Sequence, residues 1–454
     1  MKSILNLFFL LLVFCTLSCK ESTEPVPFVP IPGKAQYPVY YVSTTGNDSN
    51  TKLQAHNINT PWKTINASAT KLIPGDTLYV LGGTYVEVVS IQVSGTSTKP
   101  IVISASKGQF PVIDGQNTLP TTDWTGLVNI DGNYVHISGF EVKNSGNYYS
   151  RGVNLGGHHN TVSNFNVHHV QDNGILIQGD DCIVEDSRVW QSCYNNVNNV
   201  RNGWASGLSS ARDKVNGITD NAIIRRNIVY NNWGEGLSTY ESQGTLIEDN
   251  IVYDNYAQTV YISDASNVMF RRNLVYNTPN NVVGKQIGAA LADEVSKVPR
   301  SDNNKLINNI FFNVDLSAFS WTIVTNSGLT NALIANNTFV NSKLNTGNIN
   351  SNNRIVNNIF TISGSVSSAT GIIWSNNLWQ GSRPIYAYGG SSDVFGDPLI
   401  SKVGTFAPGE LKADYFKLNS GSPALNMAKV LTEVTNDYFL TPRKTTPNIG
   451  AIEN

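Results

Sequence analysis

The chain has 454 residues, a net charge of −2 at pH 7 and only 14% charged side chains. A nucleic-acid-binding surface is expected to be basic, so this balance argues against nucleic acid as a partner. The length exceeds that of most single domains, but a solenoid of stacked repeats grows without that limit. Aromatic residues make up 10% of the chain, enough to supply platforms on which sugar rings stack.

The first segment, residues 1–19, has the features of an export signal. Lys2 precedes an apolar run between Ile4 and Phe14, and small residues follow. The run is too short for a stable membrane span. The segment ends at Cys19 after a leucine and a serine, which resembles the lipoprotein box of bacteria and implies that Cys19 is lipidated. We therefore expect an exported lipoprotein, anchored in the outer membrane or at the cell surface or held in the periplasm, whose only membrane contact is this lipid.

The next segment, residues 20–38, contains five prolines and predicts an extended, semi-rigid tether. The folded part is expected to start with an N-terminal cap and the first rungs of a solenoid over residues 39–126. Within it, the stretch from Asn66 to Leu72 predicts a short helix over the open edge of the first rung. Such an edge must be covered, because an exposed row of strand groups invites pairing with other chains.

A repeated phrase between residues 222 and 276 predicts the fold. The phrase is apolar–x–x–Asn–apolar–Val–Tyr–x–Asn, and its first Asn is Asn227, Asn250 and Asn273, a period of 23 residues. A fixed period of this size indicates a repeat architecture, and the Val, Ile and Tyr content without helical spacing favours strands. We therefore predict an all-β, right-handed parallel β-helix whose rungs occupy residues 127–390, with the recurring Asn side chains hydrogen-bonded from rung to rung.

Two cysteines lie outside the leader, Cys182 and Cys193. Export to an oxidising compartment permits a disulfide between them. Their positions in the repeat differ by half a rung, however, which separates them in space. We expect two free and buried thiols.

Two steps of the repeat are longer than the others. The additional residues lie in 194–220 and 280–304, on either side of the two most regular rungs. Insertions in a solenoid usually emerge as loops on one face, which is often the binding face. We therefore predict a walled groove over the rungs between Trp204 and Glu294.

Polar side chains gather at the ends of the strands that cross this groove. The strands are expected to start in register at Asn173, Ser206, Glu235, Thr259 and Ile287, and equal positions on neighbouring rungs lie about 4.8 Å apart. The polar residues that this register collects are Gln178, Asp180, Asp181, Arg212, Asp213, Tyr240, Glu241, Asp264, Asp293 and Glu294.

One interpretation of this surface is glycoside hydrolysis. The reaction needs an acid and a second carboxylate about 5 to 9.5 Å apart, a spacing that adjacent or next-adjacent rungs provide. The candidate catalytic carboxylates are Glu235, Glu241, Asp264 and Asp293. The candidate substrate-binding side chains are Trp204, Arg212, Trp233, Tyr240 and Tyr261. Any single acid on a β-helix can also be a solvated turn residue, and that alternative stays open for each of them.

Motifs at both ends of the fold resemble bacterial pectate lyase-like β-helix proteins, including family 9 polysaccharide lyases. This resemblance implies a polysaccharide-degrading β-helix whose C-terminal tail, residues 391–454, folds back over the last rung. The matching residues are Gly46-Asn47-Asp48, Pro61–Ile65, Pro74–Thr77, Gly83–Tyr85, Ile113–Gly115, Asp397–Leu399, Ser422–Ala424 and Ile449–Ala451.

The resemblance also implies a lyase reaction. β-Elimination from a uronate needs a base for the proton beside the carboxylate and a cation that neutralises this carboxylate. Family 9 lyases use a Lys base and an Asp-rich Ca²⁺ site on an Asp-Asp-Gly-Phe-Asp type strand. In the similar place this chain has Gly234–Ser238, where Ser238 replaces the later Asp. The nearby lysines are Lys214 and Lys285 in the long loops, and Lys285 is the candidate base. An alternative Ca²⁺ site is expected at Asp180, Asp181 and Asp213.

The sequence thus predicts an extracellular, monomeric enzyme that degrades a polysaccharide, with an acidic glycan cleaved by β-elimination as the first expectation. A glycoside hydrolase that uses paired carboxylates is the second. A non-catalytic surface glycan-binding protein or adhesin that uses the aromatic side chains is the third. Each expects a polysaccharide as the partner, and only the first expects Ca²⁺ as a cofactor.

Overall fold

The computed structural model describes residues 38–200, 204–212, 217–294, 300–320, 328–347, 351–367, 370–388 and 392–453. Residues 37–454 form one compact unit. The predicted leader and most of the tether, together with Cys19, lie outside the described residues, as do Asp213 and Lys214. Within the described residues, no helix has the length and the apolar character needed to cross a membrane.

Short parallel strands stack rung upon rung into long sheets, as the 23-residue period predicts. Most rungs contribute one strand to each of three sheets, and inward-facing apolar side chains fill the space between the sheets. The first sheet has thirteen strands, which are Val39–Val42, Thr77–Val80, Ile101–Ala105, Val135–Ser138, Thr161–Ser163, Ile183–Glu185, Ile223–Arg225, Leu246–Glu248, Met269–Arg271, Lys305–Ile307, Leu333–Ala335, Asn353–Val356 and Ile372–Ser375.

The second sheet also has thirteen described strands and follows the first in each rung after a short corner. Its strands are Gly83–Tyr85, Pro111–Asp114, Glu141–Lys143, Asn166–His168, Arg188–Trp190, Ile228–Tyr230, Ile251–Tyr253, Leu274–Tyr276, Ile310–Phe312, Thr338–Val340, Ile359–Phe360, Leu378–Trp379 and Val394–Phe395.

The third sheet, called the site sheet below, contains the longest strands. It consists of Val89–Ile91, Gly126–Ile130, Arg151–Leu155, Ile175–Ile177, Ser206–Ala211, Glu235–Gln243, Gln258–Ser266, Gly288–Asp293, Leu316–Ser320 and Leu344–Thr346, with Thr219–Asp220 paired beside them. The other elements of the described ranges are the strand pair Ser301–Asp302 and Leu329–Thr330, the helices Lys52–Ala55 and Ile65–Ala69, and the 3-10 segments Tyr194–Asn199 and Ala413–Phe416.

The recurring Asn residues form a buried hydrogen-bonded stack, which confirms the prediction. Oδ1 of Asn250 accepts from the backbone N–H of Asn227 at 2.9 Å and from its side-chain Nδ2 at 3.1 Å. Oδ1 of Asn273 accepts from Asn250 in the same way, at 3.0 Å for both contacts. Each side chain therefore satisfies a corner amide of the preceding rung, and the same contact is kept where the next Asn is 36, 28, 21 or 19 residues further along the chain. Upstream, Phe140 and Phe165 replace the amides with an aromatic contact at 5.5 Å.

The cysteine prediction is also confirmed, because Cys182 and Cys193 are both free and buried. The N-terminal helix is shorter than predicted and covers Ile65–Ala69. It begins after Thr64, whose side chain accepts a hydrogen bond from the N–H of Ala67 and so caps the first turn. Its role as a cover for the open end of the solenoid stays a prediction.

The C-terminal tail packs along the outer face of the second sheet. Phe416 and Leu411 lie in an apolar cluster with Tyr253, Tyr276 and further outward side chains of successive strands. The hydroxyl oxygen of Tyr276 accepts a hydrogen bond from the N–H of Gly409 at 2.9 Å. The tail therefore contacts several rungs along their side, where the sequence predicted a cover over the last rung.

Candidate active site

A cavity of about 840 Å³ lies on the outer face of the site sheet. Its walls come from successive strands of this sheet and from the two regions in which the repeat is longer, so the predicted groove is present. The lining residues are Arg151, Asn173, Leu176, Gln178, Trp204, Ala205, Ser206, Ser209, Ala211, Arg212, Glu235, Ser238, Tyr240, Glu241, Gln258, Tyr261, Ile287, Glu294 and Phe319.

The strand register explains why these residues meet. Leu208 pairs with Leu237 on the next strand, and Leu237 pairs with Val260 on the strand after that. The predicted register is correct for the first pair and wrong by one residue for the second, since it placed Tyr261 opposite Leu237. Because side chains alternate between the two faces of a strand, this one-residue shift decides which of them point into the cavity.

Glu235 is the most perturbed acid of the cavity. Its side chain is 5% exposed, and its Oε2 accepts a hydrogen bond of 2.9 Å from the hydroxyl of Ser206. The hydroxyl groups of Ser206 and Ser238 lie 2.7 Å apart, which links both serines to this carboxyl. Burial raises the pKa of Glu235 to about 8 and the charge of Glu294 adds to this, although the two serine hydroxyls act in the opposite direction. Glu235 is therefore protonated at neutral pH and can donate a proton.

Glu294 is a second perturbed carboxyl on the same cavity. Its Oε2 accepts a hydrogen bond of 2.9 Å from the hydroxyl of Tyr261. Burial raises the pKa of Glu294, and the neighbouring charge of Asp264 raises it further, whereas the Tyr261 hydroxyl lowers it. Burial also raises the pKa of Tyr261, so this phenol keeps its proton and remains a donor. Both carboxyls line the same cavity, and the charge of Glu294 makes a small contribution to the raised pKa of Glu235.

The other three predicted carboxylates stack at the strand ends. Glu241 lines the cavity and pairs with Arg212 at 3.5 Å. Asp264 accepts from the Ser263 hydroxyl at 2.8 Å, and Asp293 pairs with Arg300. Neither Asp264 nor Asp293 lines the cavity, and both are fully buried. Asp264 accepts a hydrogen bond from the N–H of Glu294, and Asp293 accepts one from the N–H of Ser301. Because both aspartates are fully buried, they are not the solvated turn residues that the sequence left open as the alternative.

The predicted substrate-binding residues divide into two groups. Trp204, Arg212, Tyr240 and Tyr261 all line the cavity. Trp233 does not, because its indole N–H donates to Gln191 at 3.4 Å and its ring packs near Tyr256.

The predicted base Lys285 is exposed and lies outside the cavity lining. Its Nζ is 5.9 Å from the ring centre of Tyr256. No lysine is present among the described residues that line the cavity. The described part of the site therefore differs from the lysine-based arrangement that the resemblance implied.

Two of the acids predicted to bind Ca²⁺, Asp180 and Asp181, each lie close to a histidine side chain. Oδ2 of Asp180 lies 3.3 Å from Nδ1 of His158, and Oδ2 of Asp181 lies 3.5 Å from Nδ1 of His159. Over the described ranges, no group of three or more His, Cys, Asp or Glu side chains is arranged to hold a metal ion. Asp213, the third predicted ligand, lies outside those ranges.

The strand that resembles the calcium-binding strand of family 9 lyases departs from that pattern at Ser238. Ser238 stands where an Asp would be, and its hydroxyl lies 2.7 Å from that of Ser206. The Ca²⁺ that the resemblance implied stays a prediction.

Sequence reasoning missed Arg151 as a cavity residue. Its side chain is 9% exposed and lies on the strand Arg151–Leu155. Val153 on this strand pairs with Ile175, which pairs with Leu208. Arg151 is thus in the same column as Ser206 and Glu235, and extending the strand alignment by one rung toward the N-terminus would have found it.

Comparisons with known proteins place the chain among β-helix proteins related to pectate lyases. It is 26% identical to pectate lyase PEL9 of Emericella nidulans over 214 residues, which are 44% of this chain and 49% of that protein. It is 29% identical to pectate lyase L of Paenibacillus polymyxa over 143 residues, which are 30% of this chain and 29% of that protein. The chain thus spans half or less of the length of these two curated relatives.

Two solved structures share the fold over nearly the whole length. The crystal structure of pectate lyase Pel9A superposes with a TM-score of 0.58 and 18% identity, covering 92% of this chain and 96% of that one. The complex of XylC with xylose superposes with a TM-score of 0.61 and 12% identity, covering 91% of this chain and 98% of that one. The model of the Pel9A-like, right handed beta helix region matches residues 40–272. Because this match covers more than half of the chain, the protein belongs to the Pel9A-like right-handed β-helix family.

Proposed function

We propose that the protein is an enzyme that cleaves a polysaccharide in the cavity of the site sheet, and that its substrate is an acidic glycan cleaved by β-elimination. Membership of the Pel9A-like family and the names of two curated relatives support this class of reaction. The observation that carries the proposal is Glu235, a buried and protonated carboxyl on a cavity that two arginines also line.

Glu235 supplies the proton for the leaving group. Cleavage of a glycosidic bond leaves an alkoxide oxygen, which needs a proton as the bond breaks. A carboxyl whose pKa lies near the working pH holds this proton and still releases it readily. With a pKa of about 8, Glu235 meets that condition at neutral to mildly alkaline pH.

Arg212 neutralises the uronate carboxylate beside the cleaved bond. It lines the cavity, and a guanidinium binds a carboxylate through paired hydrogen bonds without losing its charge. Neutralising the carboxylate makes the neighbouring C–H bond more acidic. In this chain Arg212 therefore takes the role that a bound cation has in metal-dependent elimination.

Glu294 receives the proton from that C–H bond. Its pKa is raised by burial, so its ionised form is a stronger base than an exposed carboxylate. The hydrogen bond from Tyr261 orients its carboxyl group. The bond electrons of the C–H form the new carbon–carbon double bond, the glycosidic C–O bond breaks, and Glu235 protonates the departing oxygen.

A second candidate function is glycoside hydrolysis, which the presence of two carboxyls, Glu235 and Glu294, in one cavity favours. Two carboxyls of a hydrolase take different roles when their environments differ, and here Glu235 has serine partners while Glu294 has a tyrosine partner. In this reaction Glu235 protonates the same oxygen, and Glu294 activates a water or attacks the sugar. No unsaturated product forms.

The test is a panel of polygalacturonate, alginate, xylan and β-glucan, with ultraviolet absorbance of unsaturated products and reducing ends measured together. We expect both signals to rise on an acidic polymer and to be lost in Glu235→Gln. Reducing ends without absorbance establish the hydrolase. Retention of a polymer in an affinity gel with neither signal overturns both enzymes in favour of a glycan-binding protein. Phe110→Ala, which removes a side chain that is 82% exposed and outside the cavity lining, is the matched control.

A further inference from the structure

We propose that an aromatic shelf beyond the cavity, made of Trp124, Tyr148 and Tyr149, is a distal subsite for the same acidic glycan chain, with Arg151 binding a uronate carboxylate between shelf and cavity. The inference rests on the proposed function and extends it: the enzyme recognises a stretch of several sugars. The shelf was not among the predicted site residues, and it lies outside the cavity lining.

The shelf is exposed although it is apolar. Trp124 is 52% exposed and Tyr148 is 45% exposed. The ring of Trp124 stacks on that of Tyr149 at a centroid distance of 4.4 Å, and Tyr148 meets Tyr149 edge to face at 4.9 Å. Three adjacent aromatic side chains on a loop surface present the flat apolar area on which the C–H face of a pyranose stacks.

The shelf is held in place by hydrogen bonds between two loops. The N–H of Trp124 donates to the carbonyl of Tyr149 at 3.2 Å, and the N–H of Tyr149 donates to the Asp123 carboxylate at 3.3 Å. Trp124 also has a positive φ of 62°, a left-handed conformation that is unfavourable for a bulky residue. Left-handed residues recur at the corners of this solenoid, and here the conformation fixes the direction in which the Trp124 ring leaves its loop.

Arg151 connects the shelf to the cavity. Its guanidinium carbon lies 5.4 Å from the centre of the Trp124 ring, and its Nη1 donates to the Trp124 carbonyl at 3.4 Å. Its Nε lies 3.9 Å from a carboxylate oxygen of Asp172, and its Nη1 also donates to Oδ1 of Asn154 at 3.3 Å, so the side chain is held in place. Arg151 also lines the cavity, and a fixed guanidinium at the edge of an aromatic shelf is complementary to a sugar that carries a carboxylate.

The distance between shelf and proton donor sets the length of glycan that is recognised. Arg151 and Glu235 occupy the same column three rungs apart, which corresponds to roughly 14 Å at the spacing of parallel strands. A pyranose in an extended chain spans about as much as one rung. A chain cleaved at Glu235 therefore reaches Arg151 about three sugars from the cleaved bond, and it reaches the shelf beyond that point.

The experiment measures retention of Trp124→Ala in affinity gels that contain polygalacturonate or alginate, and KM on the polymer against KM on its trimer. We expect Trp124→Ala to weaken retention and to raise KM for the polymer about tenfold, with trimer kinetics unchanged. A purely structural role would affect both substrates alike. Trp124→Tyr is expected to recover most of the polymer affinity, and Phe110→Ala to behave as wild type.

The two proposals fail in different ways. Unchanged retention and unchanged polymer KM in Trp124→Ala, with turnover intact, overturn the shelf and leave the enzyme. Loss of retention in Trp124→Ala, when wild type cleaves neither polymer, supports the shelf and overturns the enzyme. Failure of wild type to be retained by either polymer overturns the shelf. We expect Glu235→Gln to be retained by the affinity gel as strongly as wild type, because the shelf binds glycan independently of catalysis. Weakened retention of that variant would contradict the assignment of the shelf as a separate subsite.

Discussion

The Ser206 hydroxyl lies 2.9 Å from Oε2 of Glu235, on strands that are adjacent in space and 29 residues apart in the chain. A hydrogen bond donated to a carboxylate stabilises its ionised form and lowers its pKa. This serine therefore opposes the effect of burial, and it sets how far above its ordinary range the pKa of Glu235 rises. Changing the serine tests the proton donor without removing it.

Ser206→Ala is expected to move the alkaline limit of activity to higher pH. Without this donor the pKa of Glu235 rises further above 8, so the carboxyl stays protonated over a wider range. A hydrogen bond to a charged group contributes about 1.5 to 3 kcal/mol, which corresponds to a shift of roughly one pH unit or more. The pH profile of kcat/KM measures the shift. Ser209→Ala, on the same strand and the same cavity, should leave the profile in place, and an unmoved limit in Ser206→Ala would rule out Glu235 as the acid.

Tyr261→Phe is expected to move the acidic limit of activity to higher pH. The Tyr261 hydroxyl lowers the pKa of Glu294, so its removal raises that pKa and delays ionisation of the proposed base. The acidic limb of the profile should then shift upward in pH, while the alkaline limb stays with Glu235. Tyr240→Phe, another tyrosine of the cavity, is the control. A shift of the alkaline limb alone would contradict the assignment of Glu294 as the base.

The stability of the protein is expected to fall as pH rises toward 8, because of Glu235. The pKa of this carboxyl is 4.5 in the unfolded chain and about 8 in the folded one, so between these values the folded state holds the additional proton. Its contribution is complete below about pH 4.5 and is lost as pH rises through 8. One proton gives a slope of about 1.4 kcal/mol per pH unit.

Urea unfolding of wild type and Glu235→Gln at several pH values between 5 and 8 tests this slope. The variant cannot ionise at position 235, so we expect its stability curve to be flatter by about the slope of one proton. Glu410→Gln, at an exposed position, should follow wild type. Parallel curves for wild type and Glu235→Gln would show that the folded protein does not keep this carboxyl protonated.

Asn250→Ala is expected to destabilise the solenoid by about 3 kcal/mol or more. The substitution removes the acceptor for the backbone N–H and the side-chain amide of Asn227, both fully buried. Each buried donor left without a partner costs about 1 to 3 kcal/mol. Thermal or urea unfolding measures the loss, with Asn59→Ala at an exposed position as the control. A loss below 1 kcal/mol would contradict the stabilising role of the stack.

The fold was predictable because its cause is local and repeated. Each inward Asn satisfies a corner amide one rung away, so the residue recurs at the same corner of successive rungs. Where the loops are short and equal in length, this recurrence appears in the chain as a period of 23 residues. The two free thiols were predictable from the same repeat, because Cys182 and Cys193 differ by half a rung and are therefore separated in space. The tail was harder to predict, since residues such as Gly409 contact rungs that lie more than a hundred residues earlier.

The site was predictable only in part, because register, side-chain orientation and burial decide it together. Glu235 was found through its position at the start of a strand. Its raised pKa depends on Ser206 and Ser238 and on the depth of burial, which no single strand reveals. Trp233 and Lys285 were near the right rungs in sequence, but their side chains contact Gln191 and Tyr256 outside the cavity lining. Arg151 was missed because its rung precedes the long insertions.

The tail that packs along the second sheet also protects an apolar surface. Tyr253 and Tyr276 stack at 4.8 Å, and the tail residues Leu411 and Phe416 lie in one apolar cluster with them. Removal of this tail would expose a stripe of aromatic side chains along the outside of the rungs, and exposed apolar patches of this kind promote association between molecules. The tail therefore keeps an adhesive face of the solenoid out of contact with other chains.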